Sequence, residues 1–308
     1  MLGPVILAAS RSDGMRRVVS AAPVTKPVVN RFIAGESVQE TVPVIKNMAG
    51  RGLEITLDVL GEDISDPTEA LAARDAYLEL IEALAPLELG ARAEMSVKLS
   101  SFGQALPGGH DLALKNVTAV VEAAAEIGTT VTLDMEDHTT IDSTLAIHGE
   151  LRERFPQTGA VVQSYLFRTE EDCRRLAEAG SRVRLVKGAY KEPASVAYQD
   201  KREVDRAYVR CLGILMNGGG YPMVGSHDPR LIAIAQHLAR RAGRKLDEYE
   251  FQMLYGIREA EQDRLAAEGH RMRVYIAYGT DWYGYFMRRL AERPANLAFF
   301  LRSLVSRG

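Results

Sequence analysis

Short apolar runs of β-forming residues alternate along the chain with longer segments whose apolar positions recur every three or four residues. The short runs cover residues 54–61, 93–100, 130–136, 160–166, 182–188, 221–227, 249–256 and 273–279. Eight such strands, set about 20 to 40 residues apart, have the rhythm of repeated βα units. Strands separated by helices are expected to run parallel, because parallel neighbours need a crossover.

Several of the helical segments carry their own end signals. Thr169 is predicted to open one helix, with Asp172 as its capping-box partner and Gly180 as its stop. Its apolar face is Cys173, Leu176 and Ala177. A second helix places Val204, Tyr208, Cys211, Leu212 and Leu215 on one stripe. Asp228-Pro229 reads as an N-cap followed by proline in the first turn of a third. His148 shares a helical face with Ile141 and Leu145, which predicts a partly buried, hydrogen-bonded histidine and not a ligand.

No strand pattern occurs in residues 1–52. Ser37-Val-Gln-Glu40 is a capping box leading into a helix that ends near Gly50 or Gly52. The expectation is a helical lead-in, residues 1–52, packed on a barrel formed by residues 53–308, the whole being one domain. An open doubly wound sheet would normally carry a glycine-rich phosphate turn after its first strand. Here that strand ends Leu57-Asp-Val-Leu-Gly61-Glu-Asp, which is acidic, and no G-x-x-x-x-G-K-[ST] occurs anywhere. A closed α/β barrel of the (βα)8 TIM type is therefore favoured.

Composition narrows the function classes. With 308 residues, 46% hydrophobic, 26% charged and a net charge of −3, the chain is of ordinary globular type. It has no Lys/Arg-rich run of five or more, which argues against nucleic acid as a partner. Its two cysteines, Cys173 and Cys211, make neither a four-cysteine zinc site nor a disulfide framework, and both sit on apolar helical stripes. A reduced, cytoplasmic setting follows as an expectation. Residues 2–9 are apolar but fall far short of the roughly 20 needed to span a bilayer.

The strand ends hold the candidate chemistry, since catalytic groups of such barrels gather at the C-terminal face. In chain order these are Lys98; Asp134, Glu136 and His138; Gln163; Arg184 and Lys187; Ser226 and His227; and Tyr275. Three chemistries compete. Asp134-x-Glu136-x-His138 would point alternate side chains to one side of a strand and suit a divalent ion. Lys98 or Lys187 would suit Schiff-base attack on a carbonyl. The third is a bound redox cofactor with a carboxylate-bearing substrate. Its support is the segment Thr280-Asp-Trp-Tyr-Gly-Tyr-Phe-Met-Arg288-Arg289-Leu-Ala-Glu292, a short helix on which Tyr285, the arginine pair and Glu292 share one side. Paired guanidinium groups match a carboxylate in a way that lysines do not.

At these residues the chain resembles the proline dehydrogenase family. The matching pieces are Val97-Lys98-Leu99-Ser100, Leu133-Asp134-Met135-Glu136-Asp, Gln163-Ser-Tyr-Leu, Arg184-Leu-Val-Lys187-Gly-Ala-Tyr190, Gly225-Ser-His227-Asp, Glu250-Phe-Gln252-Met-Leu254-Tyr-Gly256, Val274-Tyr275 with Gly279, and Arg288-Arg289-Leu-Ala-Glu292. The length resembles that of the compact monofunctional bacterial form. The resemblance implies a distorted barrel whose last helix caps the mouth, bringing Arg288 and Arg289 to the carboxylate of L-proline. Lys98, Asp134, Tyr275 and Glu292 would line the same pocket, with Leu254 and Tyr190 on the substrate ring. FAD would be held by Met135, Gln163, Arg184, Lys187, Gly188, Ala189, Ser226 and His227, with Asp134 and Arg184 in catalytic roles and no metal. The implied reaction is hydride transfer from proline to flavin N5, giving Δ1-pyrroline-5-carboxylate. A membrane quinone would take the electrons at the inner membrane face, and pyrroline-5-carboxylate dehydrogenase would be a partner. Two departures stand out. Ala277 replaces an expected proline, which should loosen that strand end, and Lys191 replaces an aromatic found in some relatives, which weakens the expected packing at the flavin edge.

Overall fold

Each predicted run forms a strand, and the eight strands close into one parallel barrel in chain order, β8 returning to β1. The computed structural model describes residues 26–61 and 64–292. The apolar run at residues 2–9 and the side chain of Glu292 lie outside the described residues. The strands are β1 (Glu54–Val59), β2 (Ala93–Lys98), β3 (Thr130–Asp134), β4 (Gly159–Gln163), β5 (Arg182–Val186), β6 (Tyr221–Gly225), β7 (Glu250–Leu254) and β8 (Arg271–Tyr278). Most stop one to three residues before the sequence pattern ends, because the chain turns into the βα loops once its parallel neighbours run out. No described helix is long and apolar enough to cross a membrane.

Alternation along the strands sets the two sides of the barrel. Ile55, Leu57, Met95, Val97, Leu133, Val183, Leu185, Phe251, Val274 and Ile276 belong to one buried apolar cluster with the surrounding helices. The intervening residues are polar: Thr56 and Asp58, Glu94 and Ser96, Thr132 and Asp134, Arg182 and Arg184, Glu250 and Gln252, Arg273 and Tyr275. Their hydrogen bonds join strands that are not sheet neighbours, β5 to β2 and β8 to β3, so they cross the lumen. The interior of the barrel is thus a buried ionic network, wrapped in an apolar shell.

The helical ends follow the sequence signals with one exception. Ser37 caps the helix Val38–Gly50 by accepting from Glu40 N at 3.3 Å, and Asp228 caps Pro229–Arg241 by accepting from Arg230 N at 3.0 Å. Cys173 and Cys211 are both buried. The capping box at Thr169 is absent. The Thr169 hydroxyl donates back to the Gln163 carbonyl at 2.6 Å, and Asp172 is taken up by Arg168 and Arg175. His148 is fully buried and not partly so, its Nε2–H donating to the Thr158 carbonyl at 3.2 Å. Ala277 does not loosen its strand. β8 runs on to Tyr278, paired with β1 throughout, and Ile33 of the lead-in forms a further bridge to Ala277.

The last helix, Trp282–Glu292, leaves β8 through a three-residue link and turns back over the rim. Its aromatic face (Trp282, Tyr283, Tyr285, Phe286) is buried in a second cluster with Val28, Phe32 and Ile33 of the lead-in. That cluster also contains Leu60, Ile257 and Ala277, which lie at the C-terminal ends of β1, β7 and β8. Gly256 permits this approach. It sits at φ +72°, and a Cβ there would lie 1.8 Å from the Arg31 carbonyl oxygen.

Candidate active site

Asp134, at the end of β3, is the hub of the mouth. Its Oδ1 accepts from Ser96 Oγ at 2.7 Å and Arg184 Nη1 at 2.8 Å, and its Oδ2 accepts from Tyr275 O–H at 3.0 Å. Lys98 Nζ lies 3.7 Å from the same Oδ2. The Arg184 guanidinium stacks over the Tyr275 ring at 5.3 Å and reaches down to Glu94 at 2.6 Å. Four residues singled out in the sequence, Lys98, Asp134, Arg184 and Tyr275, therefore meet at one place.

A fifth member escaped the sequence analysis. Asp58 of β1 binds the Lys98 ammonium with both oxygens at 2.9 Å. Burial raises its carboxyl from the ordinary aspartate value, against the downward pull of Lys98. Burial likewise disfavours the Arg184 charge, but Glu94 and Asp134 more than offset it and raise the guanidinium further. Burial, reinforced by Asp134, drives the Tyr275 hydroxyl far above its usual value and keeps it a hydrogen-bond donor. The signal for Asp58 was the polar alternation Thr56-x-Asp58, matched by Glu94-x-Ser96-x-Lys98 on the next strand.

Asp134, Glu136 and His138 do not converge. β3 ends at Asp134, so the alternation stops there. Glu136 accepts from Ser100 N at 3.0 Å and Ser100 Oγ at 2.6 Å, and His138 is bound to Glu192 through both its backbone N–H and its ring. The chelate suggested by the spacing has no common focus. The two candidate Schiff-base lysines are each ion-paired to two carboxylates, Lys98 as above and Lys187 to Asp205 at 2.5 Å and Asp228 at 3.5 Å.

The remaining candidates line the rim. Gln163 donates to the Glu136 carbonyl at 2.7 Å and accepts from Ala189 N at 3.3 Å, tying the ends of β3, β4 and β5 together. Met135 is buried, and Tyr190 is 38% exposed on the loop after β5. Gly188 has φ +117°, and a Cβ on it would strike the Tyr165 ring at 2.4 Å. Ser226 Oγ accepts from Asp228 N at 3.1 Å, and His227 Nε2 accepts from Leu254 N at 2.9 Å. Arg289 lies over the Tyr285 ring at 4.9 Å, with Arg288 beside it on the capping helix and Leu254 against that helix's cluster. Glu292 ends the helix, its side chain outside the described residues. A cavity of about 550 Å³ opens elsewhere, between the helix Pro67–Leu84 and the ends of β1 and β8, and shares no residue with the Asp134 cluster.

Known proteins match this chain along its length. A family profile described as "Proline dehydrogenase" matches residues 41–302. Proline dehydrogenase 1 of Bacillus subtilis (strain 168) is 39% identical over 307 residues, 100% of both chains. Proline dehydrogenase of Deinococcus radiodurans is 42% identical over 281 residues, 90% of each chain. Among solved structures, proline utilization A (PutA) from Bdellovibrio bacteriovorus, inactivated by N-propargylglycine, superposes with a TM-score of 0.81 at 28% identity. The alignment covers 90% of this chain and 34% of that one, so the chain spans about a third of that larger protein.

Proposed function

The chain belongs to the proline dehydrogenase family, whose reaction is the first step of proline catabolism, and from that premise we propose that it oxidises L-proline to Δ1-pyrroline-5-carboxylate with a bound FAD. The observation that carries the proposal is the buried Asp134–Arg184–Tyr275 cluster at a barrel mouth overhung by the Arg288–Arg289 helix.

The donor set suits a flavin. Arg184 Nε is a buried donor with no acceptor among the described residues, although Nη1 and Nη2 of the same guanidinium are engaged. Met135, Gln163, Arg184, Lys187, Gly188, Ala189, Ser226 and His227 would hold the cofactor. When bound, FAD supplies the two-electron acceptor that takes the hydride from proline C5 at its N5.

The other tasks fall to the chain. Arg288 and Arg289 grip the substrate carboxylate, Lys98, Tyr275 and Glu292 line the same pocket, and Tyr190 and Leu254 pack on the ring. Such orientation supplies several kcal/mol of the barrier lowering. The secondary amine sheds its proton before oxidation, since a protonated nitrogen has no lone pair to drive hydride loss. Positive charge then develops on the ring nitrogen as the C=N bond forms, and the Asp134 carboxylate stabilises it. Arg184 provides the opposite charge on the cofactor side. The lead-in and barrel act as one unit, a reading supported by the Ile33–Ala277 bridge and the Arg31–Gly256 contact. The electrons pass to a membrane quinone during peripheral contact, and the product goes to a pyrroline-5-carboxylate dehydrogenase.

The test is the absorbance spectrum of the purified protein before and after anaerobic addition of L-proline. A flavin band that bleaches is expected; a colourless protein, or a band indifferent to proline, overturns the proposal. Arg288→Lys and Arg289→Lys should each raise KM about 10- to 100-fold, the loss of one or two charge-assisted hydrogen bonds. Flavin content should remain at the wild-type level. Equal loss of both would make the pair structural.

A further inference from the structure

Lys98 ends β2 on a flexible stem, and an ammonium group by itself has no preferred direction. Its direction comes from Asp58, which is 1% exposed on β1 and presents both oxygens to Nζ at 2.9 Å. The same Nζ stands 3.7 Å from Asp134 Oδ2, the atom that accepts the Tyr275 hydroxyl at 3.0 Å. We propose that Asp58 is a positioning residue for proline oxidation, keeping the Lys98 ammonium closer to itself than to Asp134 and at a fixed point of the mouth. The inference rests on the placing of Lys98 in the proline pocket.

Two consequences of removing the Asp58 charge carry the argument. Without that charge Lys98 is drawn closer to Asp134, and an ammonium on Oδ2 competes with Tyr275 for that oxygen. The charge of the set also changes. An amide at position 58 removes one negative charge from beside the nitrogen on which positive charge develops. Both changes act on the oxidation step. Neither removes a guanidinium of Arg288 or Arg289, which hold the carboxylate from the capping helix. Asp58 should therefore govern turnover more than binding.

A double-mutant cycle with steady-state kinetics on L-proline tests this, together with calorimetric binding of cyclopentanecarboxylate, a ring carboxylate that has no amine. Asp58→Asn should lower kcat on the order of 10- to 100-fold, the penalty for a misplaced group at a reacting centre. Affinity for cyclopentanecarboxylate should stay within about twofold, and Asp58→Asn/Lys98→Met should be no worse than Lys98→Met within about twofold. Asp58→Glu, which restores the charge, should recover part of the loss. An Asp58→Asn protein with wild-type kcat overturns the inference, as does a loss carried over in full to the Lys98→Met background. If Asp58→Asn does not fold, Asp58→Glu takes its place in the cycle, and its change in kcat must then vanish on Lys98→Met. Failure of the wild-type protein to oxidise proline would sink the functional proposal instead, and shows before any variant is made.

Discussion

The lumen of the barrel holds two tiers of charged side chains that are similar in composition and differ in how completely each is closed. Near the N-terminal ends of the strands, Arg273 donates to Glu250 at 2.7 and 3.1 Å, to Glu54 and to the Ile55 carbonyl at 2.9 Å. Beside it Arg182 donates to Glu94 at 2.8 Å. At the C-terminal ends Asp58, Lys98, Asp134, Arg184 and Tyr275 form the second tier. Every nitrogen of the Arg273 guanidinium is bonded within the lower tier, whereas Arg184 keeps a buried Nε with no acceptor among the described residues and Lys98 and Asp134 stay 13% exposed at the mouth. Arg184 links the tiers, with Nη2 on Glu94 below and Nη1 on Asp134 above. A buried ion pair whose hydrogen bonds are all spent on its own neighbours can only hold the barrel together. One that keeps access and donor capacity can also meet a ligand.

That contrast breaks most visibly in the lower tier. Replacing Arg273 with methionine leaves Glu250 and Glu54 buried without their main counter-charge. Breaking such a pair from one side costs about 3–5 kcal/mol. Chemical denaturation should show that loss, while kcat per folded molecule stays near wild type. A variant of normal stability would mean that water or relaxation supplies the missing partner.

The upper tier should respond in the opposite sense. Arg184→Lys keeps the charge but loses the planar fork that spans Glu94, Ser96 and Asp134 and stacks on Tyr275. The expected outcome is a kcat lower by about 100-fold, in the range found on removing one preorganised charge-stabilising donor. The loss of unfolding free energy should be smaller than for Arg273→Met. If stability falls more than turnover, Arg184 belongs with the lower tier.

Much of this was legible in the sequence, and the misses have a common cause. The eight runs, their parallel order and the last helix follow from periodicity, caps and spacing, all of which are local, whereas the place of that helix over the mouth came from the family resemblance. Lys98, Asp134, Arg184 and Tyr275 were visible as polar residues at strand ends. Glu94, Arg182 and Arg273 carry no such signal because they lie at strand starts or centres, away from the C-terminal face where barrel chemistry is expected. Asp58 was passed over inside an acidic run at the end of β1. The period-two polar pattern on β1, β2, β3, β5, β7 and β8 did announce a charged lumen. It did not say which charges pair, because partners such as Glu94 and Arg184 are 90 residues apart and meet only once the barrel closes. Glu136 and His138 failed for the complementary reason, since strand alternation cannot be carried past the residue where the strand stops.

A buried neutral imidazole, outside both tiers, separates the acid response of the helical shell from that of the lumen. Burial, assisted by Arg152, pushes the His148 imidazole down to about 4. The folded chain therefore refuses a proton that the unfolded chain accepts at the ordinary histidine value of about 6.5. The stability this group contributes is complete above that value and is lost as pH falls towards 4. From pH 6.5 to 5.5 the loss is about 1 kcal/mol. His270, also lowered by burial, adds in the same direction. In the lumen, burial opposes the Glu94 charge but Arg182, Arg273 and Arg184 prevail and hold its carboxyl down to about 2. Its contribution is therefore complete above about 4.5 and fades only as pH falls from there towards 2. Urea unfolding at pH 6.5 and 5.5 should show a loss in the wild type that shrinks by about 1 kcal/mol in His148→Gln, whose amide can still donate to the Thr158 carbonyl. An unchanged loss in the variant would assign the acid sensitivity of this window to another buried imidazole, His270 first, because a lumen carboxylate held ionised by three guanidinium groups starts to lose its contribution only below about pH 4.5.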